Sequence, residues 1–384
     1  MKSKFVMLWT CIAVLYGCHS VQPMGDSPVA QAEQHNPPAG HVTTVNGRWL
    51  MEANGEVMLD PQTSGLTVWN GKLISLSDRS ADRSQRLQLH VISSETALVS
   101  PEIMAFELSD TLKDSCFASY IQENPDLEAL VAVPNEPGVF FTITEDASDH
   151  QGLSPVCAEK YGHSGSVVYP FLLVRLAVQT DHSVLMTHVR PLMFSDELNL
   201  ANFPNDGIEG LALSDDGQLY LALEKDAAGG ARVFTTDISA EFWQQNDFIP
   251  MRDTQVKLPS FEHGNHPINA LEFYQYGGHR YLFAAARNDE QLWVIDLAGQ
   301  QDALVVDLHF FAQLDTPNEI CSGWEPMDNA SIEGLTVIDD TLWMVNDPWK
   351  AVYLQNIQCE QNRAKFEKMA PLLFSLPIQD AWFR

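Results

Sequence analysis

The chain has 384 residues, 45% of them hydrophobic, and a formal net charge of −29 from 22 Lys and Arg against 51 Asp and Glu. That length and apolar content suffice for a large packed core, which excludes overall disorder. The charge repels phosphate backbones, which excludes nucleic acid as a partner.

Lys2 and Lys4 precede the apolar run FVMLWTCIAVLYGC, the layout of an export signal and too short a run for a membrane span. Its last residues, Leu15, Tyr16, Gly17 and Cys18, resemble a bacterial lipobox. The resemblance implies lipidation of Cys18 and an exported outer-membrane lipoprotein, anchored through its lipid and facing the periplasm or the cell surface. An ordinary secretory signal cut nearby is the other reading. Residues 1–18 are thus the signal, and residues 19–46, polar and rich in Pro and Gly, read as a flexible tether. A single domain is expected over residues 47–384.

Within that domain one sentence is written five times: TSGLTVWNGKLISLSDRS from Thr63, LEALVAVPNEPGVFFTITED from Leu127, IEGLALSDDGQLYLALEKD from Ile208, INALEFYQYGGHRYLFAAARND from Ile268 and IEGLTVIDDTLWMVNDPWK from Ile332. The second residue of each copy, Ser64, Glu128, Glu209, Asn269 and Glu333, gives spacings of 64, 81, 60 and 64 residues. Each copy reads as a β-hairpin, because an apolar run meets a turn and continues with period-2 alternation. A third strand is expected in LQLHVIS, LLVRLAV, ARVFTTD, LWVIDL and AVYLQNI, and a fourth in HVRPLMF, VKLPSF, VVDLHFF and LLFSLP. Four antiparallel strands per repeat predict an all-β protein, a β-propeller of five recognisable blades. A degenerate sixth blade fits the long interval between Glu128 and Glu209, with a strand from GRWLMEANGEVML.

The cysteines follow the same register. Cys116 and Cys321 each lie 12 residues before a marker glutamate, and Cys157 and Cys359 lie 29 and 26 residues after the same markers. Of three possible pairings, the repeat symmetry favours Cys116 with Cys157 and Cys321 with Cys359, and an exported chain can hold both.

A second polar column ends the second strand of each hairpin: Asp78, Glu145, Glu224, Arg287 and Asp347. In an antiparallel hairpin the start of one strand neighbours the end of the next, so both columns emerge at one end of the channel. Seven of those ten positions are carboxylates, and two carboxylates 4 Å apart repel by about 4 kcal/mol at an effective dielectric near 20. Such a ring calls for a cation, and calcium, a hard ion that takes six to eight oxygens, is the natural cofactor. Its expected ligands are Glu128, Glu209, Glu333 and Asp347. Arg79, Lys225, Arg287 and Lys350 accompany the ring, either as ties between blades or as a site for an anionic ligand. GHSGS, around Ser164, is one residue short of a nucleophile elbow, and His263 and His266 of HGNH are too few for zinc.

The segments SGLTVWNGKLISLSDRS, IEGLALSDDGQLYLALE and IEGLTVIDDTLWMVND resemble the repeats of the "esterase-like activity of phytase" family of exported bacterial β-propeller proteins. That resemblance implies calcium-dependent phosphoesterase chemistry on a small phosphate ester or other anionic molecule, with Glu209, Glu224, Asp78 and Arg79 as catalytic positions. Asn269 and Arg287 depart from the acidic pattern. The EG marker is also similar to that of calcium-bound lactonase-type propellers, the alternative enzyme. A surface-anchored binding or assembly module, its ring holding calcium only for rigidity, is the non-enzymatic reading.

Overall fold

Each repeated hairpin closes through turn residues that the backbone requires. Asn70–Gly71 and Gly277–Gly278 both carry two consecutive positive φ angles, the two-residue turn whose twist matches that of the flanking strands. The structure, a computed structural model, describes residues 42–383 apart from 146, 148–151, 166–168, 199, 201–205, 317–320 and 322. The segment expected as an export signal, with the expected lipidation site Cys18, lies outside the described residues.

The first strand, β1 (Thr43–Trp49), precedes five blades. Blade one comprises β2 (Thr63–Trp69), β3 (Lys72–Ser77), β4 (Gln88–Ile92) and β5 (Met104–Leu108). Short helices α1 (Asp110–Lys113) and α2 (Ala118–Glu123) lead to blade two, built from β6 (Leu127–Ala132), β7 (Val139–Thr144), β8 (Leu172–Val178) and β9 (Val184–Met193), with α3 (Pro155–Tyr161) between β7 and β8. Blade three holds β10 (Ile208–Leu213), β11 (Gln218–Leu223) and β12 (Arg232–Asp237); β13 (Ile249–Pro250) pairs with β9 of blade two, and β14 (Arg252–Asp253) completes blade three. Blade four is β15 (Ala270–Tyr276), β16 (His279–Ala286), β17 (Gln291–Asp296) and β18 (Leu304–Gln313), with β19 (Trp324–Met327) added at its edge. Blade five contains β20 (Ile332–Ile338), β21 (Thr341–Asn346) and β22 (Leu372–Pro377), with α4 (Arg363–Glu367) before β22.

The fourth strand of blade five is β1. It runs antiparallel to β22, with Trp49 opposite Leu372, and parallel to β18, with Thr43 opposite Leu308. The N-terminal strand therefore closes the ring, which explains where part of GRWLMEANGEVML goes: it completes the fifth blade rather than founding a sixth. The interval between Glu128 and Glu209 is long because α3 and the ten-residue β9 fill it. Two expected strands are corrected as well. AVYLQNI forms a turn of 3-10 helix at Tyr353–Asn356, so LLFSLP is the third strand of blade five; VKLPSF is not a strand, and the two residues of β14 take its place. Strand β1 begins at Thr43, inside the segment 19–46 expected as a tether, whose residues up to 41 lie outside the described residues.

The five inner strands β2, β6, β10, β15 and β20 pack in cyclic order around the axis. Residues after the markers are small there: Gly65, Ala129, Gly210, Ala270 and Gly334. A Cβ on Gly334 would sit 2.8 Å from Leu66 Cβ and 3.0 Å from the Gly65 carbonyl carbon, and one on Gly65 would sit 2.6 Å from Leu130 N. The glycine of the EG marker thus lets neighbouring inner strands approach. Between blades lie five apolar clusters, one per seam, typified by Ile74 with Phe140, Phe141 with Phe234, Tyr220 with Leu282, Phe310 with Phe374, and Leu373 with Leu66. Each fully buried Phe or Leu there contributes about 1.5–3 kcal/mol. Disulfides Cys116–Cys157 and Cys321–Cys359 are formed, with Cα separations of 5.6 and 6.3 Å.

Candidate functional site

In blades one, two, three and five the hairpin register slips at the marker, between Thr63 and Leu66, Leu127 and Ala129, Ile208 and Gly210, and Ile332 and Gly334. A bulge re-aims the side chain that it carries. The second column follows each hairpin by one residue, where the backbone N–H of Asp78, Glu145, Glu224 and Asp347 donates to the residue two before a marker, at Gln62, Asp126, Gly207 and Ser331. Marker and column acids are thereby tied together at one end of the channel.

Three marker glutamates converge. One carboxylate oxygen from each of Glu128, Glu209 and Glu333 lies within 4.8 Å of the others, and all three residues are buried. Glu128 also belongs to a second group at that spacing, with Glu145 and Asp126. Burial first, and then the neighbouring acids, hold Glu128, Glu209 and Asp347 well above the usual carboxylate range. Burial and then the charge of Asp126 push Asp78 up to about 7, and burial, opposed by Arg287, pushes Glu333 up to about 7.

Blade four answers this charge. Arg287 Nη2 donates to Glu224 Oε1 at 3.0 Å, Nη1 pairs with Glu333, and the guanidinium lies 5.7 Å from the ring centre of Trp349. Burial works against the charged guanidinium, but Glu333 and Glu224 outweigh it and hold it ionised. Asn269 Nδ2 donates to Glu224 Oε1 at 3.1 Å, while its Oδ1, in a fully buried residue, has no partner. Asp347 Oδ1 is likewise buried and unpartnered. The Asn269 amide oxygen is of the kind a hard cation accepts.

The remaining expected cations have carboxylate partners. Arg79 meets Asp126 at 2.9 Å across the seam between blades one and two. Lys225 meets Asp206 at 2.7 Å, and Lys350 meets Asp60 at 2.9 Å while donating to Ser80 O at 2.7 Å, linking blade five to blade one. Glu145 accepts from Gly207 N at 2.9 Å, and a Cβ on Gly207 would fall 2.2 Å from the Glu145 Cγ. Asp126 and Asp206 belong to no repeat column; their position just before an inner strand was the available signal. The HGNH loop is held otherwise: His266 Nδ1 lies 2.8 Å from Asp289 and its Nε2 2.8 Å from His263 O, with the ring stacked on Phe261. Ser164 is buried in its loop.

No protein-family model matches the chain, and no curated protein matches it by sequence. Solved structures resembling it include a gluconolactonase from Xanthomonas campestris, at 11% identity over 88% of each chain with a TM-score of 0.37. The Malassezia sympodialis allergen Mala s 1 shares 11% identity over 84% of this chain and 80% of its own, with a TM-score of 0.40. A glycosyl hydrolase from Bacteroides ovatus shares 9% over 86% and 85%, with a TM-score of 0.41. What the site does rests on its own side chains.

Proposed function

We propose that the axial cluster is a calcium site and that the protein is a calcium-dependent hydrolase of a small ester or lactone. The observation that carries this reading is the convergence of Glu128, Glu209 and Glu333 from three blades, with the buried, unpartnered Oδ1 of Asn269 in the same marker column of blade four. Three carboxylates and a neutral amide oxygen suit a hard ion with flexible coordination. When bound, calcium supplies Lewis-acid polarisation of a substrate oxygen.

The chain's own groups take the other parts. Glu224, fixed by Arg287 and Asn269, positions the Glu333 side of the ring. Asp347 carries a buried, unpartnered oxygen and faces the charges of Glu333 and Asp78, which suits it to hold a proton at Oδ1 and deliver it. Asp78 stands where the cluster meets solvent. Because Arg79, Lys225, Arg287 and Lys350 all contact carboxylates, the ring itself offers a phosphoryl group little, and this favours the lactonase-type alternative over phytase-like phosphoester cleavage.

The test is melting and turnover together. Calcium should raise the melting temperature over EDTA, by an amount equivalent to about 2.7 kcal/mol at one hundred times the dissociation constant. Lactone or ester hydrolysis should need the ion and vanish in Glu209→Gln. Identical melting with and without calcium removes the metal, and a calcium response without turnover on any lactone, ester or phosphate ester tried leaves a binding module instead.

A further inference from the structure

The cations that the sequence places at the ring are engaged, but two other arginines nearby are not. Arg83 is exposed and has no ion-pair or hydrogen-bond partner among the described residues. Among the described residues Arg86 bonds only to neutral oxygens: Nε donates to Ala81 O at 2.6 Å and Nη1 to Asn124 Oδ1 at 3.0 Å, leaving Nη2 without an acceptor there. Both line a cavity of about 400 Å³ at the rim of blade one, together with Asp78, Glu123 and Asn124.

The acids around this cavity keep their charge in their hydrogen bonds, but none of them contacts either guanidinium group. Asp78 Oδ1 accepts from Ser80 N at 2.5 Å and Ala81 N at 3.0 Å, and its Oδ2 from Ser80 Oγ at 3.1 Å. Asp82 Oδ1 accepts from Ser84 N at 2.9 Å and Ser84 Oγ at 2.7 Å, and Asp60 is held by Lys350. Asp82 and Asp60 act on Arg86 only from beyond ion-pair distance, and Glu123 has a contact of its own. In a chain of net charge −29, a concave site with two guanidinium groups whose charge no carboxylate contacts is unusual. Arg86 is also held in place by its two neutral acceptors, so little freedom is lost when Nη2 takes a ligand.

We propose that Arg83 and Arg86 form an oxyanion subsite at the rim of blade one, holding the phosphate or carboxylate end of the substrate while its reacting end faces Asp78. This deepens the hydrolase reading by naming the substrate class: a small molecule with an anionic end. The oxyanion can accept two parallel N–H bonds from the Arg83 fork and a further one from Arg86 Nη2. Asp78 lines this cavity and also feels the charges of Asp126 and Glu333, so a ligand seated on the arginines abuts a residue of the carboxylate cluster.

Calorimetric titration with inorganic phosphate and, separately, with lactate tests the subsite in EDTA, so that metal takes no part. The wild type should bind at least one of them, and Arg83→Ala should weaken that binding about tenfold or more, the loss of a charged hydrogen bond. Arg83 makes no contact that folding needs, so this variant should melt as the wild type does and keep its calcium response. Arg86→Lys, which preserves charge but not the fork, should also bind more weakly. Preference for phosphate assigns a phosphoryl end, and preference for lactate assigns a carboxylate; either supports the subsite. Failure of the wild type to bind both anions, or equal affinity in the wild type and Arg83→Ala, overturns it. Anion binding that survives where calcium has no effect on melting leaves the subsite standing and removes only the metal reading.

Discussion

Arg287 stands where the other blades place an acid, and its guanidinium joins Glu224 of blade three to Glu333 of blade five. A repeat position that breaks the pattern is thus the internal counter-ion for its neighbours. Removing one partner of such a buried pair typically costs about 3–5 kcal/mol, because a carboxylate is left uncompensated. Away from the axis, two partly buried acids have less support. Burial pushes Glu272 up to about 8 against one hydrogen bond from Val337, and Glu290 to about 8 although Ala330 N donates to it at 3.2 Å. A carboxyl raised in the folded state contributes stability that is full below its unfolded value, near 4.5, and is lost as pH rises through about 8. The protein should therefore melt progressively lower from about pH 5 to about pH 9. Glu272→Gln, neutral throughout, should flatten that slope and melt above the wild type at the alkaline end. Scanning calorimetry of both proteins decides it, and parallel slopes would clear Glu272 of the effect.

At the scale of the element, the repeated IEGL strand joins two requirements. The glutamate rides a bulge toward the axis, and the glycine beside it makes room for the next inner strand. Blades two and four tolerate Ala129 and Ala270 at that place, so a methyl group is not forbidden in general. In blade five the neighbours stand closer: a Cβ on Gly334 would also meet Val345 Cγ1 at 2.6 Å. Gly334→Ala should destabilise the fold by about 1–3 kcal/mol through overpacking. Urea unfolding would measure it, with wild-type stability showing that the inner strands relax at little cost.

For the whole molecule, closure depends on residues far apart in sequence. Strand β1 supplies the outer edge of blade five and buries Val45 and Trp49 against residues more than 250 positions away. Trp49 Nε1 donates to Gln313 O at 2.9 Å, and its ring packs edge-on against Phe366 at 5.0 Å. A chain beginning at residue 50 should leave the edge of β22 unpaired and lose cooperative melting, and a synthetic peptide of residues 42–50 added in trans should restore part of it. A sharp, unchanged transition in the shortened chain would show that the ring holds without its clasp.

The repeats, their hairpins, the polar columns and the cysteine pairing were legible in the sequence because each is a local pattern: alternation, turn residues and a fixed offset recur within one blade. The same locality placed Glu128, Glu209 and Glu333 in one column, which the fold brings within 4.8 Å. Pairing between distant segments leaves no such trace. That β1 completes blade five, that Asp126 and Asp206 hold the ring's cations, and that Arg83 and Arg86 stay uncompensated all depend on which blades become neighbours. Those are contacts across seams, fixed by packing around the axis rather than by any residue's own neighbours in the chain, and only the tertiary structure decides them.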